Sequence, residues 1–392
     1  MTFILGLFYL LTLVYLVRAI QLALLLWREW DTVRQEPFTS RKKLLAEQAS
    51  FFLAVPVGVL LHEFFHALAT WSVGGRVVEF AYRVFFGYVV PVGDFTPGEI
   101  WWISLAGTLG SLLFGLMTWL LLRRHSLTAL RYFGLRVFRF QVYFSLIYYP
   151  LFTLLGFVGD WATIYDFAAT PLLSGATAVV HALLLLLFWR GDRVGWFEHV
   201  AYDSLEAQTR FHTLAESAHH NPDLPLQMQY IAALRQGGAT HQAIHTTQQL
   251  LRQHPQVGAL HLELAVLQSE RQKQMPLSAV NHVRQALACG LPTPEATAVA
   301  HQILGRYYLD THYLEEAISH YSQAMALTTS PHPHLYYWRS LAYRQQQQYH
   351  LAYQDVQQAL RQTGGEGETA VFYQNELALI EKHAGRKLDT DL

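Results

Sequence analysis

Cysteine is nearly missing from this 392-residue sequence. Cys289 stands alone, so an intramolecular disulfide framework and any CxxC-type zinc site are excluded. A chain with a single thiol loses nothing in a reducing compartment. Charge is scarce too: 15% of residues are Asp, Glu, Lys or Arg against 52% hydrophobic, and the formal net charge is −1. That composition is too apolar for one ordinary soluble protein, and the near-zero charge gives no ground for a nucleic-acid partner or for attraction of acidic substrates. The first apolar stretch lacks both a basic residue ahead of it and a convincing small-residue cleavage site, so it reads as a retained helix.

What is present divides at about residue 199. Residues 1–199 carry nearly every long apolar run, whereas 200–392 are rich in Gln, His and Ala; only 5 of the 20 histidines precede residue 200. A spanning helix needs roughly 20 mostly apolar residues, each rising about 1.5 Å. Five segments meet that requirement, at about 2–27, 49–72, 101–122, 138–158 and 171–189. Arg28, Arg34, Arg41, Lys42 and Lys43 follow the first, and Arg123, Arg124, Arg131 and Arg136 follow the third. Positive loops stay cytoplasmic, so the N-terminus is expected outside and residues 200–392 inside, beyond Arg190 and Arg193.

The chemistry is written in LLHEFFHALA, residues 60–69. On a helix, positions i and i+4 share a face, so His62 and His66 can offer two imidazole nitrogens to one metal ion. Glu63 falls beside them, where a carboxylate can take a proton from an attacking water and return it to a leaving amine. Nitrogen ligands and an open position for water favour Zn2+. Two His and a Glu are costly within an apolar helix unless they pair, face a wet cavity or bind an ion. Catalytic zinc needs a third protein ligand. Asp160, in GFVGDW at the end of the fourth segment, is the first candidate; His181, in the fifth, is the rival, equally suited to a hydrogen bond between helices. Asp166 is a candidate partner for a ligand histidine.

Taken in order, HEFFH at 62–66, AGTLGS at 106–111 and GD at 159–160 resemble the site-2 proteases, a family of intramembrane zinc metallopeptidases. In that family HExxH lies on one core helix, a small-residue AGPxxN motif opens the second, and a metal-binding Asp near a Gly lies on the third. The resemblance covers about residues 49–170, and it implies peptide-bond hydrolysis in or beside the membrane, with Glu63 catalytic and His62, His66 and Asp160 on the metal. Thr108 stands where the family has Pro, Ser111 where it has Asn, and YYPLFTLLGFVGDW replaces a proline-rich run, which marks a divergent branch. Gly107, Gly110 and Gly115 form a small face for helix packing. The stretch 74–97 mixes β-branched and aromatic residues with Gly and Pro and reads as one or two short strands beside the site. In the resembling family such a strand pairs with an unwound substrate, and an exposed strand edge can do so.

Repetition dominates the second half. Ala243, Ala279, Ala317 and Ala352 recur at spacings of 36, 38 and 35 residues, close to the roughly 34 of a tetratricopeptide repeat. The clearest unit is 304–327, with Leu304, Gly305, Tyr308, Ala317, Tyr321 and Ala324 at the positions such a repeat fills. His219, His220, His332 and His334 read as solvated linker residues, and the i, i+4 pair His241 and His245 lacks the following Glu.

The expectation is therefore an all-α fold. A membrane-embedded metallopeptidase domain, 1–199, of about five spans carries a short β-hairpin near the active site, and an α-solenoid of tetratricopeptide-like repeats, 200–392, follows. Removal of residues from about 204 onward is expected to leave the membrane part intact. The implied partners are the lipid bilayer, a transmembrane or membrane-adjacent protein substrate, and a protein or peptide on the repeats. The expected place is a plasma membrane, prokaryotic in a protein so compact. The alternative is an inactive membrane scaffold that assembles partners through its repeats.

Overall fold

The computed structural model of the chain describes residues 2–156, 159–270, 272–364 and 367–384, without the side chains of 2–9 and 11. It divides into two compact units, Met1–Gln242 and Ala243–Leu392. In the first, α1 (Thr2–Arg28), α2 (Trp30–Val33), α3 (Ser40–Phe52) and α4 (Ala54–Ser72) lead into β1 (Arg76–Tyr82) and β2 (Gly87–Val92). Then come α5 (Pro97–Leu122), α6 (Thr128–Tyr143), a π-turn at Phe144–Tyr148, α7 (Tyr149–Leu154), α8 (Asp160–Ile164), α9 (Pro171–Arg193), α10 (Leu205–His220) and α11 (Leu224–Gln236). α12 (Thr240–Gln253) crosses the division.

Three helices among the described residues are long and apolar enough to cross a membrane: Ser40–Ser72, in which α3 and α4 run together, Pro97–Leu122 and Pro171–Arg193. This is fewer than the five expected. The fourth expected segment forms no separate apolar helix, because it continues from Thr128 through the π-turn to Leu154 and its α6 portion carries Arg139, paired through two nitrogens with Asp192 at 2.9 and 3.2 Å. Phe157 and Val158, at that segment's end, lie outside the described residues. The first expected segment is the 27-residue α1.

The loop between α4 and α5 forms an antiparallel hairpin of β1 and β2, with a register irregularity between Val77 and Glu79. Local chemistry sets its exit. Thr96 Oγ1 accepts from the Glu99 N–H at 3.3 Å, Glu99 Oε2 accepts from the Thr96 N–H at 2.8 Å, and Pro97 follows at the first helical position. This reciprocal cap launches α5 at a fixed residue.

Residues beyond α9 fasten back onto the first unit. Lys43 Nζ donates to the carbonyls of His199 (2.8 Å) and Gly238 (3.1 Å), and Tyr202 N–H donates to Phe38 O at 2.9 Å. Glu198 accepts from the N–H groups of His241 (3.0 Å) and Gln242 (2.9 Å), capping the start of α12. The His199 ring lies on Tyr132, centroids 6.0 Å apart, and edge-on to Phe38. Burial, then the nearby cations of Arg131 and Lys43, push its pKa down to about 4. The break in composition near residue 199 and the end of the compact unit at Gln242 are thus different boundaries. A cut at 204 removes Gly238 and with it one of the Lys43 acceptors.

The second unit continues with α13 (Gly258–Ser269), α14 (Leu277–Cys289), α15 (Pro294–Asp310), α16 (Leu314–Ala326), α17 (Pro333–Gln345), α18 (Tyr349–Thr363) and α19 (Glu368–His383). Each helix packs on the next, and α13, α15, α17 and α19 also touch in series, the neighbour-only contact pattern of a helical-repeat solenoid. The recurrent alanines explain the stacking. Ala279, Val283 and Ala286, then Ala317, Tyr321 and Ala324, then Ala352, Val356 and Ala359 occupy i, i+4, i+7 positions, and all nine are fully buried. Gly305 extends the close approach, since a Cβ there would lie 2.8 Å from the Tyr321 ring.

A cross-helix pair recurs in the same register: His261 with His282 (3.1 Å), His301 with His320 (3.0 Å), and Arg339 with Asp355 through two bonds of 2.8 Å. The sequence reading of two histidine groups needs amending. His219 and His220 belong to the last turn of α10, and His334 lies within α17, its Nδ1 bonded to Tyr373 Oη at 2.6 Å.

Candidate metal centre

His62 and His66 lie one turn apart on α4, and both turn their Nε2 atoms to one point. Asp160, the first residue of α8, meets them there from 94 and 98 residues along the chain. Asp160 Oδ2 is 3.1 Å from His62 Nε2 and 3.2 Å from His66 Nε2. One ligand-capable atom from each of the three residues lies within 4.8 Å of the other two. A tetrahedral zinc with bonds of about 2.0–2.1 Å holds its ligand atoms about 3.3 Å apart, so this donor set and spacing fit that ion.

The far side of each ring is also held. His66 Nδ1 donates to Ile103 O at 2.6 Å, and His62 Nδ1 shares a hydrogen bond of 3.1 Å with Ser111 Oγ; both partners are on α5. A carbonyl can only accept, so the His66 Nδ1 carries the hydrogen and its Nε2 lone pair is the one aimed at the common point. Gly107, also on α5, provides the space. A Cβ there would lie 2.3 Å from His66 Nε2 and 2.7 Å from His62 Nε2. This glycine, expected only to pack helices, borders the two ligand-capable nitrogens themselves.

Glu63 is 5% exposed, and its side chain runs against the hairpin: a Cβ on Gly87, the first residue of β2, would lie 2.5 Å from Glu63 Cγ. The short strands read from the sequence therefore do sit beside the site. Tyr149 reaches Asp160 as well, its hydroxyl donating to Oδ2 at 2.8 Å and accepting from the Asp160 N–H at 3.1 Å.

The other two candidates are engaged elsewhere. His181 Nε2 donates to Leu146 O at 2.6 Å, and Tyr165 Oη bonds to its Nδ1 at 2.5 Å. The cause is Pro150, which follows Leu146 by four residues and has no N–H to give that carbonyl. His181 supplies the missing donor. Asp166 Oδ1 accepts from the N–H groups of Ala168 (3.1 Å) and Ala169 (3.0 Å), which makes it a turn-forming aspartate, not a partner for His62 or His66. Ser111, Gly87 and Tyr149 were not singled out from the sequence for the positions they hold. That Ser111 stands where the resembling family has Asn was the one available signal.

No family model matches this chain, and no curated protein matches it. Among solved structures, the crystal structure of MamA protein aligns at 18% identity and a TM-score of 0.35, over 42% of this chain and 83% of that one. A second MamA crystal structure aligns at 19% identity and a TM-score of 0.33, over 39% and 84%. The crystal structure of the APC/C hetero-tetramer Cut9–Hcn1 aligns at 13% identity and a TM-score of 0.38, over 87% of this chain and 66% of that chain.

Proposed function

We propose that the chain is a membrane-embedded zinc metallopeptidase that hydrolyses peptide bonds within or beside the bilayer. The observation that carries this reading is the convergence of His62 Nε2, His66 Nε2 and Asp160 Oδ2 within ligand distance of a common point, on an apolar helix that also buries Glu63. Such groups are costly in an apolar span unless they pair, face a wet cavity or bind an ion, and three of them meeting at one point favours the ion.

Zinc, when bound, supplies a Lewis acid that polarises the scissile carbonyl and brings the acidity of a water into the neutral range. Glu63 takes the proton from the attacking water and delivers it to the leaving amine. Ser111 and the Ile103 carbonyl hold the imidazole rings at fixed orientations through their Nδ1 atoms. The hairpin edge near Gly87 offers backbone groups to an extended substrate next to Glu63.

The stacked repeats supply a surface for a protein or peptide partner, and the basic loops favour the cytoplasmic side of a plasma membrane for it. A partner-assembling scaffold with no catalysis is the competing reading. The two separate with Glu63→Gln: a peptidase variant keeps zinc at the wild-type level and loses turnover by at least about 100-fold, as expected for removal of a general base. Undiminished cleavage by the variant removes the assignment of Glu63, and a purified wild-type protein that holds no zinc removes the peptidase reading.

A further inference from the structure

We propose that Tyr149 is the positioning residue that makes Asp160 a metal ligand, and that the π-turn before it is the device that aims it. The inference rests on the metal-centre reading above and adds a residue that the family motif does not contain. Asp160 begins a helix of five residues, too short to fix a side chain by its own packing. A carboxylate in that place has several rotamers available and needs an outside hold.

Tyr149 supplies it at two points. Its hydroxyl donates to Oδ2 at 2.8 Å and accepts from the N–H of the same aspartate at 3.1 Å. One oxygen thus ties the side chain of Asp160 to its own backbone and leaves Oδ2 facing the two imidazoles at 3.1 and 3.2 Å. The ring is wedged in turn: a Cβ on Gly159 would lie 2.9 Å from Tyr149 Cε2 and 3.2 Å from its hydroxyl, and the Phe144 ring stacks 6.2 Å away.

The chain directs the phenol to that place through a helix irregularity. The Tyr149 N–H bonds to Phe144 O, five residues back, where a regular α-helix bonds four back. One residue subtends about 100° of an α-helix, so without the inserted residue everything after the turn would point elsewhere by about that angle. Pro150 keeps the irregularity in place, because it cannot donate to Leu146 O and the helix cannot close in α-register across it. His181 satisfies the carbonyl left over. Tyr149 therefore holds the ligand, and the π-turn with Pro150 and His181 holds Tyr149.

The test is zinc affinity, measured by chelator competition on the full chain in detergent for wild type, Tyr149→Phe, Gly159→Ala and Asp160→Asn. Phenylalanine keeps the ring and removes only the hydroxyl, so a 10- to 100-fold weaker zinc affinity with an unchanged melting temperature is the expected result, the range typical of hydrogen bonds behind a ligand. Cleavage by this variant should recover in excess zinc, whereas Glu63→Gln should not. Gly159→Ala is extended at φ −172° and tolerates a side chain, yet it displaces the ring and should weaken zinc as well; it answers the question if Tyr149→Phe does not fold. Affinity within twofold of wild type for Tyr149→Phe, with Asp160→Asn weakened, overturns the role of Tyr149 and leaves the metal centre standing. Wild-type protein without zinc overturns both.

Discussion

Replacing Gly107 with alanine would put a methyl carbon 2.3 Å from His66 Nε2, 2.5 Å from His66 Cε1 and 2.7 Å from His62 Nε2. An ordinary contact needs about 3.4 Å, so the rings must retreat by about 1 Å. Metal–ligand bonds tolerate only about 0.2 Å. Neither ring can swing freely, because Ile103 O and Ser111 Oγ hold the opposite nitrogens. The expected outcome is a loss of zinc affinity of 100-fold or more with no cleavage. Overpacking costs about 1–3 kcal/mol, and the better helix propensity of alanine returns up to about 1 kcal/mol, so the protein stays folded. Gly110→Ala, also on α5, is the control: the atoms nearest its Cβ all belong to Phe65 of α4, the first at 2.6 Å. Zinc content and chelator competition on the two variants decide the matter. Equal zinc affinity in both would refute the claim that Gly107 makes room for ligand nitrogens.

The Tyr321 side chain is fully buried and its hydroxyl has no hydrogen-bond partner among the described residues; Tyr321→Phe should therefore leave the repeat unit as stable or about 1 kcal/mol more stable by thermal melting. A loss greater than about 1 kcal/mol would show a partner for that hydroxyl. Asp355→Ala leaves the Arg339 guanidinium without its carboxylate, still holding Ser322 Oγ at 2.9 Å, and should cost about 3 kcal/mol, whereas the pair Arg339→Met with Asp355→Leu should be close to neutral. His199 is neutral in the fold, with its pKa lowered from 6.5 to about 4. The unfolded chain takes up the proton first as pH falls, so stability is full above about pH 6.5 and declines toward pH 4. Between pH 7.5 and 5 this one residue should remove about 2 kcal/mol, and His199→Gln should flatten that part of the profile.

Legibility of the site in the sequence followed how local each signal was. His62, Glu63 and His66 announce themselves by i, i+4 spacing within an apolar helix, and Asp160 by a carboxylate at the end of an apolar run. Ser111 and Tyr149 carry no such spacing. Hydroxyl residues are common in helices, and their meaning comes only from what folds against them. His181 was open to two roles, rival ligand or hydrogen bond between helices, and the second is the one found, to a carbonyl opened by Pro150. Of the five spans expected, three stand among the described residues; the first is α1, whose opening side chains lie outside them, and the fourth is broken by the π-turn and carries Arg139 paired with Asp192. The repeats were readable from the alanine spacing because small buried residues are what stacked helices require. Composition changes near residue 199 and packing changes at Gln242, and a sequence reports the first of these far more directly than the second.

The carbonyl of Leu146 deserves a last consequence. Pro150 withdraws its natural donor and His181 replaces that donor from 31 residues downstream of the proline, so the two positions form a single inherited unit. Either can change only at the expense of the other: Pro150→Ala returns an N–H and leaves His181 with a surplus donor, and His181→Leu leaves the carbonyl bare in an apolar layer. In a lineage of such chains, proline at the first position should travel with a hydrogen-bond donor at the second, although neither belongs to the group of His62, His66 and Asp160. Their covariation would be the trace left by a helix defect one residue from Tyr149.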